Sequence, residues 1–196
     1  FVAALIAVTV FFLANSIRHL SRARKRIDWL SNLLKGADSK SATTRRQDFV
    51  EKAEQTKNDA GHLWLEFSET LIEVDVGDEI CLHNTVDASH FFNESSLAHG
   101  ITESRMIAAV PGFLTAGGVI GTFIGLQLGL AELQIGKDIE IEVMKEGLAS
   151  VISGASVAFM TSVWGVGLSV FFNVSEKLLE QSIRRRIFTL QRTIDD

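Results

Sequence analysis

Residues that staple, kink or catalyse are scarce in this chain. Across 196 residues there is one cysteine, one proline and no tyrosine. The lone Cys81 excludes a disulfide framework and a cysteine-built zinc cluster, and it reads as a small buried hydrophobe. With Pro111 as the single proline, little interrupts helices. No Walker loop, nucleophile elbow or metal-protease helix occurs, so nothing points to an enzyme. The 19 Lys and Arg and 24 Asp and Glu are spread along the chain, and no basic patch suggests direct nucleic-acid binding. The most informative absence is local. Neither Met106–Ala131 nor Gly147–Ser175 contains Asp, Glu, Lys, Arg or His.

Both charge-free runs are long enough to cross a bilayer. About 26 helical residues, at roughly 1.5 Å each, exceed a hydrocarbon core of ~30 Å. Hydrophobic residues make up 46 % of the chain, and they are blocked into runs as in membrane proteins. A further run, Phe1–Ile17, is followed at once by Arg18, Arg22, Arg24, Lys25 and Arg26. No small-residue cleavage site intervenes, so it reads as an anchor and not as a signal peptide. The basic cluster puts that end in the cytoplasm, as do Lys177 and Arg184 to Arg186 after the last run. Glu132–Glu146 is acidic, as expected outside.

These signals predict an all-α membrane protein with three spans, N-out and C-in. Residues 1–17 form the first span and 18–105 a helical cytoplasmic segment. Residues 106–131 form the second span, 132–146 a short extracytoplasmic loop, and 147–175 the third span. Residues 176–196 begin a cytoplasmic tail helix, with Leu178, Ile183, Ile187, Leu190 and Ile194 roughly on one face. In the cytoplasmic segment, GADSKSATT is a polar break and Thr44 with Gln47 fits a capping box. From there Phe49, Ala53, Thr56, Ala60, Leu63, Phe67 and Leu71 repeat with 4,3 spacing, the seam of one long helix. Val76–Ser89 reads as irregular.

Two patterns bear on function. Gly117, Gly121, Gly125 and Gly129 recur every fourth residue and form a ridge for close helix packing. With Gly154 and Gly165 they are the predicted packing positions. The ridge also predicts that leucine at Gly121 or Gly125 disrupts assembly of several copies. Beside it runs a 3,4 stripe of Thr115, Gly118, Thr122, Gly125 and Gly129. The third span matches it with Ala155, Ala158, Ser162, Gly165 and Ser169. Thr122 and Ser162 fall at similar depth in antiparallel helices. One reading is packing, with hydroxyls bonded to backbone carbonyls. The other is a narrow polar path lined by Thr115, Thr122, Thr161 and Ser162. If such a path exists, its titrating group comes from another polypeptide, because a proton relay needs an ionisable group at membrane depth. Glu66 and Glu69, three residues apart, could share a calcium ion if carbonyls or neighbouring chains complete its oxygen shell. The plainer reading is a solvated acidic face. His83, His90 and His99 match no ligand spacing.

PGFLTAGGVIGTFIGL and SGASVAFMTSVWGVGLSVFF resemble the paired membrane helices of the MotA/TolQ/ExbB proton-channel family. Three spans resemble TolQ and ExbB more than the four-span flagellar MotA. With LHNTVDASHFFNESSL, the likeness is greatest to the ZorA group of the Zorya anti-phage defence systems. The resemblance implies a multi-pass protein of the bacterial inner membrane. It implies a homo-oligomeric ring of five copies. The ring surrounds two copies of a single-span MotB/ZorB-like partner that carries a membrane aspartate. It implies that flow of protons or sodium drives rotation, with no cofactor required. The family's pathway hydroxyls fall on Thr122, in GTF, and Ser162, in MTS. An acidic calcium site would fall on Glu66 and Glu69. The alternatives are a TolQ/ExbB-type energiser of an envelope or nutrient-uptake system, and a non-conducting helical scaffold.

Overall fold

The computed structural model describes residues 1–36, 39–56, 58–76, 79–100, 105–131 and 141–195. In chain order its elements are α1 (Val2–Leu33), α2 (Ser39–Gln55), α3 (Asp59–Ser68), β1 (Leu71–Val76), β2 (Glu79–Asn84), α4 (Ala88–Phe91), α5 (Glu94–Leu97), α6 (Arg105–Ala131) and α7 (Ile141–Asp195). They form two compact units. One joins Phe1–Asn15 to Arg105–Lys177; the other joins Ser16–Ser104 to Leu178–Asp196.

The first unit holds the apolar stretches. α1, α6 and α7 are each long and apolar enough to cross a membrane. Ile107, Val110 and Leu114 of α6 bury themselves against Phe172 of α7, and Leu5, Phe12, Leu13 and Leu168 pack around them. Pro111 lies inside α6 without ending it. Helix ends differ from span ends. α1 continues past Ile17 to Leu33, and α7 begins at Ile141, inside the stretch expected as a loop. Residues 132–140 of that stretch lie outside the described residues. Hydropathy marks where a chain is apolar, while the backbone ladder continues wherever residues tolerate it.

The second unit is built on an aromatic core. Trp64 meets Phe49 edge-on at 5.8 Å and stacks with Phe92 at 6.4 Å, and Phe67 meets Phe92 at 5.3 Å. Leu20, Ile27 and Leu30 of α1 and Ile183, Ile187 and Leu190 of α7 complete it. Both helical runs repeat at 3,4 spacing, so each buries one stripe. Arg26 of α1 pairs with Asp59 and reaches the Leu97 carbonyl, tying α1 to α3 and α5.

This unit corrects the sequence reading at three points. The predicted long helix is two helices. Asn58 caps α3 by accepting the Gly61 amide at 2.8 Å, and the backbone turns there. A Cβ on Gly61 would stand 2.7 Å from the carbonyl oxygens of Ala53 and Thr56, so only glycine lets the two helices meet so closely. Phe49, Ala53, Ala60 and Phe67 are buried as the 4,3 seam requires, but the seam is shared between α2 and α3. Second, Thr44 lies inside α2, which starts at Ser39; the capping box therefore does not start a helix there. Third, the fold is not all-α. Leu71–Val76 and Glu79–Asn84 form an antiparallel hairpin, with Val74 opposite Cys81 and Leu71 opposite Asn84. Its first strand, LIEVDV, alternates β-branched and polar residues, as a half-exposed ribbon does.

Candidate ion-path face of the membrane hairpin

α6 and α7 run antiparallel and touch backbone to backbone. A Cβ on Gly118 would be 3.0 Å from the Gly165 Cα, one on Gly125 3.1 Å from the Ala158 Cα, and one on Gly129 3.2 Å from the Gly154 Cα. The buried face of α6 is thus Leu114, Gly118, Gly121, Gly125 and Gly129. α7 answers with Gly154, Ala158, Thr161 and Gly165. The glycine ridge is therefore occupied within one chain. Gly117 faces Leu5 of α1 and Gly121 faces Phe1 and Thr161, each with a would-be Cβ at or under 3.0 Å. Side chains at Gly121 and Gly125 would therefore clash inside the subunit itself.

The hydroxyls lie to one side of this contact. Thr115 and Thr122 each follow a contact residue, Leu114 and Gly121, and stand about 40–60° round the helix from the Gly118–Gly125 contact line. Ser162 and Ser169 follow Thr161 and Leu168 in the same way. In an antiparallel pair, a one-residue advance on either helix turns towards the same side. Thr115, Thr122, Ser162 and Ser169 accordingly share one side, and all four are half-buried. α1 packs against Gly117, one residue before Gly118, and thus on the other side. No titratable side chain lies on Phe1–Ile17, Met106–Ala131 or Gly147–Ser175.

Hydrogen bonding separates these groups. Thr122 donates to the Gly118 carbonyl at 3.0 Å and crosses to the Ala158 carbonyl at 3.2 Å. Buried Thr161 donates to the same Ala158 oxygen at 2.8 Å. Thr115 donates to the Pro111 carbonyl at 3.0 Å. Among the described residues the Ser162 hydroxyl has no hydrogen-bond partner. The sequence pairs Thr122 with Ser162 by depth; in the fold it is Thr161 that shares a carbonyl with Thr122. Periodicity alone does not distinguish the two, because neighbours on a helix have equal depth and differ in rotation.

The remaining candidates lie elsewhere. Glu66 is exposed on α3, and Glu69, also exposed, is its C-cap. Among the described residues no group of three or more His, Cys, Asp or Glu could hold a metal ion. A calcium ion at Glu66 and Glu69 would thus need further oxygen ligands from carbonyls or another chain. His83, His90 and His99 are all exposed.

Comparison with known proteins adds two findings. The family described as anti-phage protein ZorA, Zorya type I system, matches residues 1–196. The Zorya protein ZorA of Escherichia coli is 28 % identical over 121 residues, which is 59 % of this chain and 16 % of that protein. The chain thus spans a small part of the length of this curated relative.

Proposed function

The chain belongs to the ZorA-like family of Zorya type I anti-phage systems, and from that premise we propose that it is the ion-conducting subunit of a membrane motor used in that defence. Several copies, five by likeness to the wider family, form a ring in the bacterial inner membrane. The N-terminus is outside and the tail inside. Two helices of a MotB/ZorB-like partner occupy the centre and present a carboxylate to the hydroxyl-bearing side of each α6–α7 pair. Protons or sodium ions cross beside that carboxylate, and the ring turns about it. The chain carries no catalytic group of its own and is not an enzyme.

One observation carries the reading. Thr115, Thr122 and Ser162 share the side of the hairpin that α1 leaves open, in spans without an ionisable side chain. Polar groups at membrane depth are costly on a lipid-facing surface and are found facing cavities or protein. A hydroxyl can donate and accept, so it can solvate an ion without holding a charge.

The test is Thr122→Val together with Ser162→Ala in the complete defence system. Both changes keep shape and remove hydroxyls, and a membrane hydrogen bond averages only about 0.6 kcal/mol. The complex should therefore assemble normally while phage protection falls by at least tenfold. Full protection by an intact double variant overturns the reading.

A further inference from the structure

We infer that the two pathway hydroxyls have opposite hydrogen-bonding roles: Thr122 offers an acceptor and Ser162 offers a donor to a carboxyl group on a partner helix. The inference rests on the proposed ion path and adds a chemical division within it. A threonine hydroxyl has one proton and two lone pairs. The Thr122 proton is committed to backbone, since its oxygen lies 3.0 Å from the Gly118 carbonyl and 3.2 Å from that of Ala158. Whichever carbonyl takes the proton, what remains for a visitor is a lone pair. The Ala158 carbonyl also receives Thr161, held against the backbone of Gly121, where a Cβ would lie 2.9 Å from the Thr161 oxygen. Buried Thr161 meets that carbonyl from the α6-facing side of α7. Ser162 is half-buried one residue further on, and its proton has no acceptor among the described residues.

The two forms of a carboxyl group meet these hydroxyls differently. A protonated carboxyl donates, and Thr122 can accept from it. An ionised carboxylate only accepts, and Ser162 can donate to it. A bond to the neutral form raises a carboxyl pKa and a bond to the charged form lowers it. No titratable side chain on the α1, α6 or α7 segments of this unit between Phe1 and Ile17, Met106 and Ala131, or Gly147 and Ser175 competes with this pair. Thr122 therefore favours the loaded, neutral state and Ser162 the unloaded, charged one. A site carrying both sits near balance, as repeated loading and release requires.

The experiment is a pH titration of the partner carboxyl in the full membrane complex, reconstituted in nanodiscs. The readout is the infrared C=O stretch of the protonated acid, assigned by its loss when the partner's membrane aspartate is replaced by asparagine. Thr122→Val should lower the midpoint and Ser162→Ala should raise it. Each shift should be about half a pH unit, the size that one net membrane hydrogen bond gives. Shifts of the same sign for Thr122→Val and Ser162→Ala, or no shift in either, overturn the division of roles. If the wild-type complex shows no aspartate-dependent titration at all, the proton form of the ion-path reading fails, and the division of roles with it.

Discussion

Gly165 lies so close to Gly118 that a Cβ built on Gly165 would stand 2.6 Å from the Gly118 Cα and 2.9 Å from the Leu114 carbonyl oxygen. Both obstacles are backbone, so neither can rotate away. The hairpin is therefore set by glycine pairs, and their spacing fixes which residues turn to the open side.

Gly165→Ala should loosen this contact. Overpacking costs about 1–3 kcal/mol where the surroundings cannot yield. The thermal midpoint of the detergent-solubilised protein should fall, and Gly167→Ala, with nothing within 4 Å of its would-be Cβ, should hold or raise it through helix propensity. Equal behaviour of the two variants would show that the helices do not meet at Gly165.

At the junction of α2 and α3, Gly61→Ala sets two effects against each other. Alanine gains about 1 kcal/mol of helix propensity over glycine. Its Cβ, however, would press on two carbonyl oxygens at 2.7 Å, with an overpacking cost of about 1–3 kcal/mol. The clash should win, and the denaturant midpoint should drop. A rise would mean that α2 and α3 can part without loss.

Asp87 supplies a pH signature outside the membrane spans. It caps α4, and its bonds from the Ser89 side chain and Ser89 amide hold its carboxyl below the usual carboxylate range. A lowered folded pKa adds stability that is complete above the unfolded value, about 3.9, and is lost as pH falls through the folded value. Asparagine can also cap a helix but does not titrate. The stability difference between wild type and Asp87→Asn should be constant from pH 7 to 5 and change only below about pH 4. Melting curves at pH 7, 5 and 3 check this.

Calcium at Glu66 and Glu69, if another chain completes the shell, gives a concentration-dependent stabilisation of the assembled complex. At a hundredfold excess over the dissociation constant the gain is about 2.7 kcal/mol. Added calcium should raise the melting temperature of wild type and leave Glu66→Ala with Glu69→Ala unmoved. A wild type indifferent to calcium leaves these carboxylates as a solvated face.

The membrane part of the fold is legible in the sequence because a charge-free run of about 26 residues suits little besides a bilayer. Legibility fades where one sequence period serves two structures. Phe49 to Phe67 keeps its 4,3 rhythm across the break at Asn58, so the seam conceals the turn; Asn58 followed by Asp59 is the local signal for a new helix start. Leu71 continues the same rhythm, yet it begins a strand. There the alternation in LIEVDV is the stronger cue. At the candidate site the stripes give depth but not rotation. Hence Thr161, expected to line the path, is buried beside Thr122, and the glycine ridge is spent inside one subunit.

The last turns of α7 are fastened to their own unit at several points. Arg184 pairs with Glu94, Arg186 with Asp28, and Gln191 donates to the Phe92 carbonyl. Asp195 accepts from the Asn84 side chain and the Ala88 amide. Exposed pairs of this kind add little to equilibrium stability. Their mechanical meaning is different, because they act in parallel along a stiff rod. They key Asp195 and the turns before it to Asn84 at the end of β2, to α4, to α5 and to α1, so twisting the rod in its seat would break several contacts at once. This stretch of α7 is seated like a splined shaft, keyed to the body around it at separate points along its length.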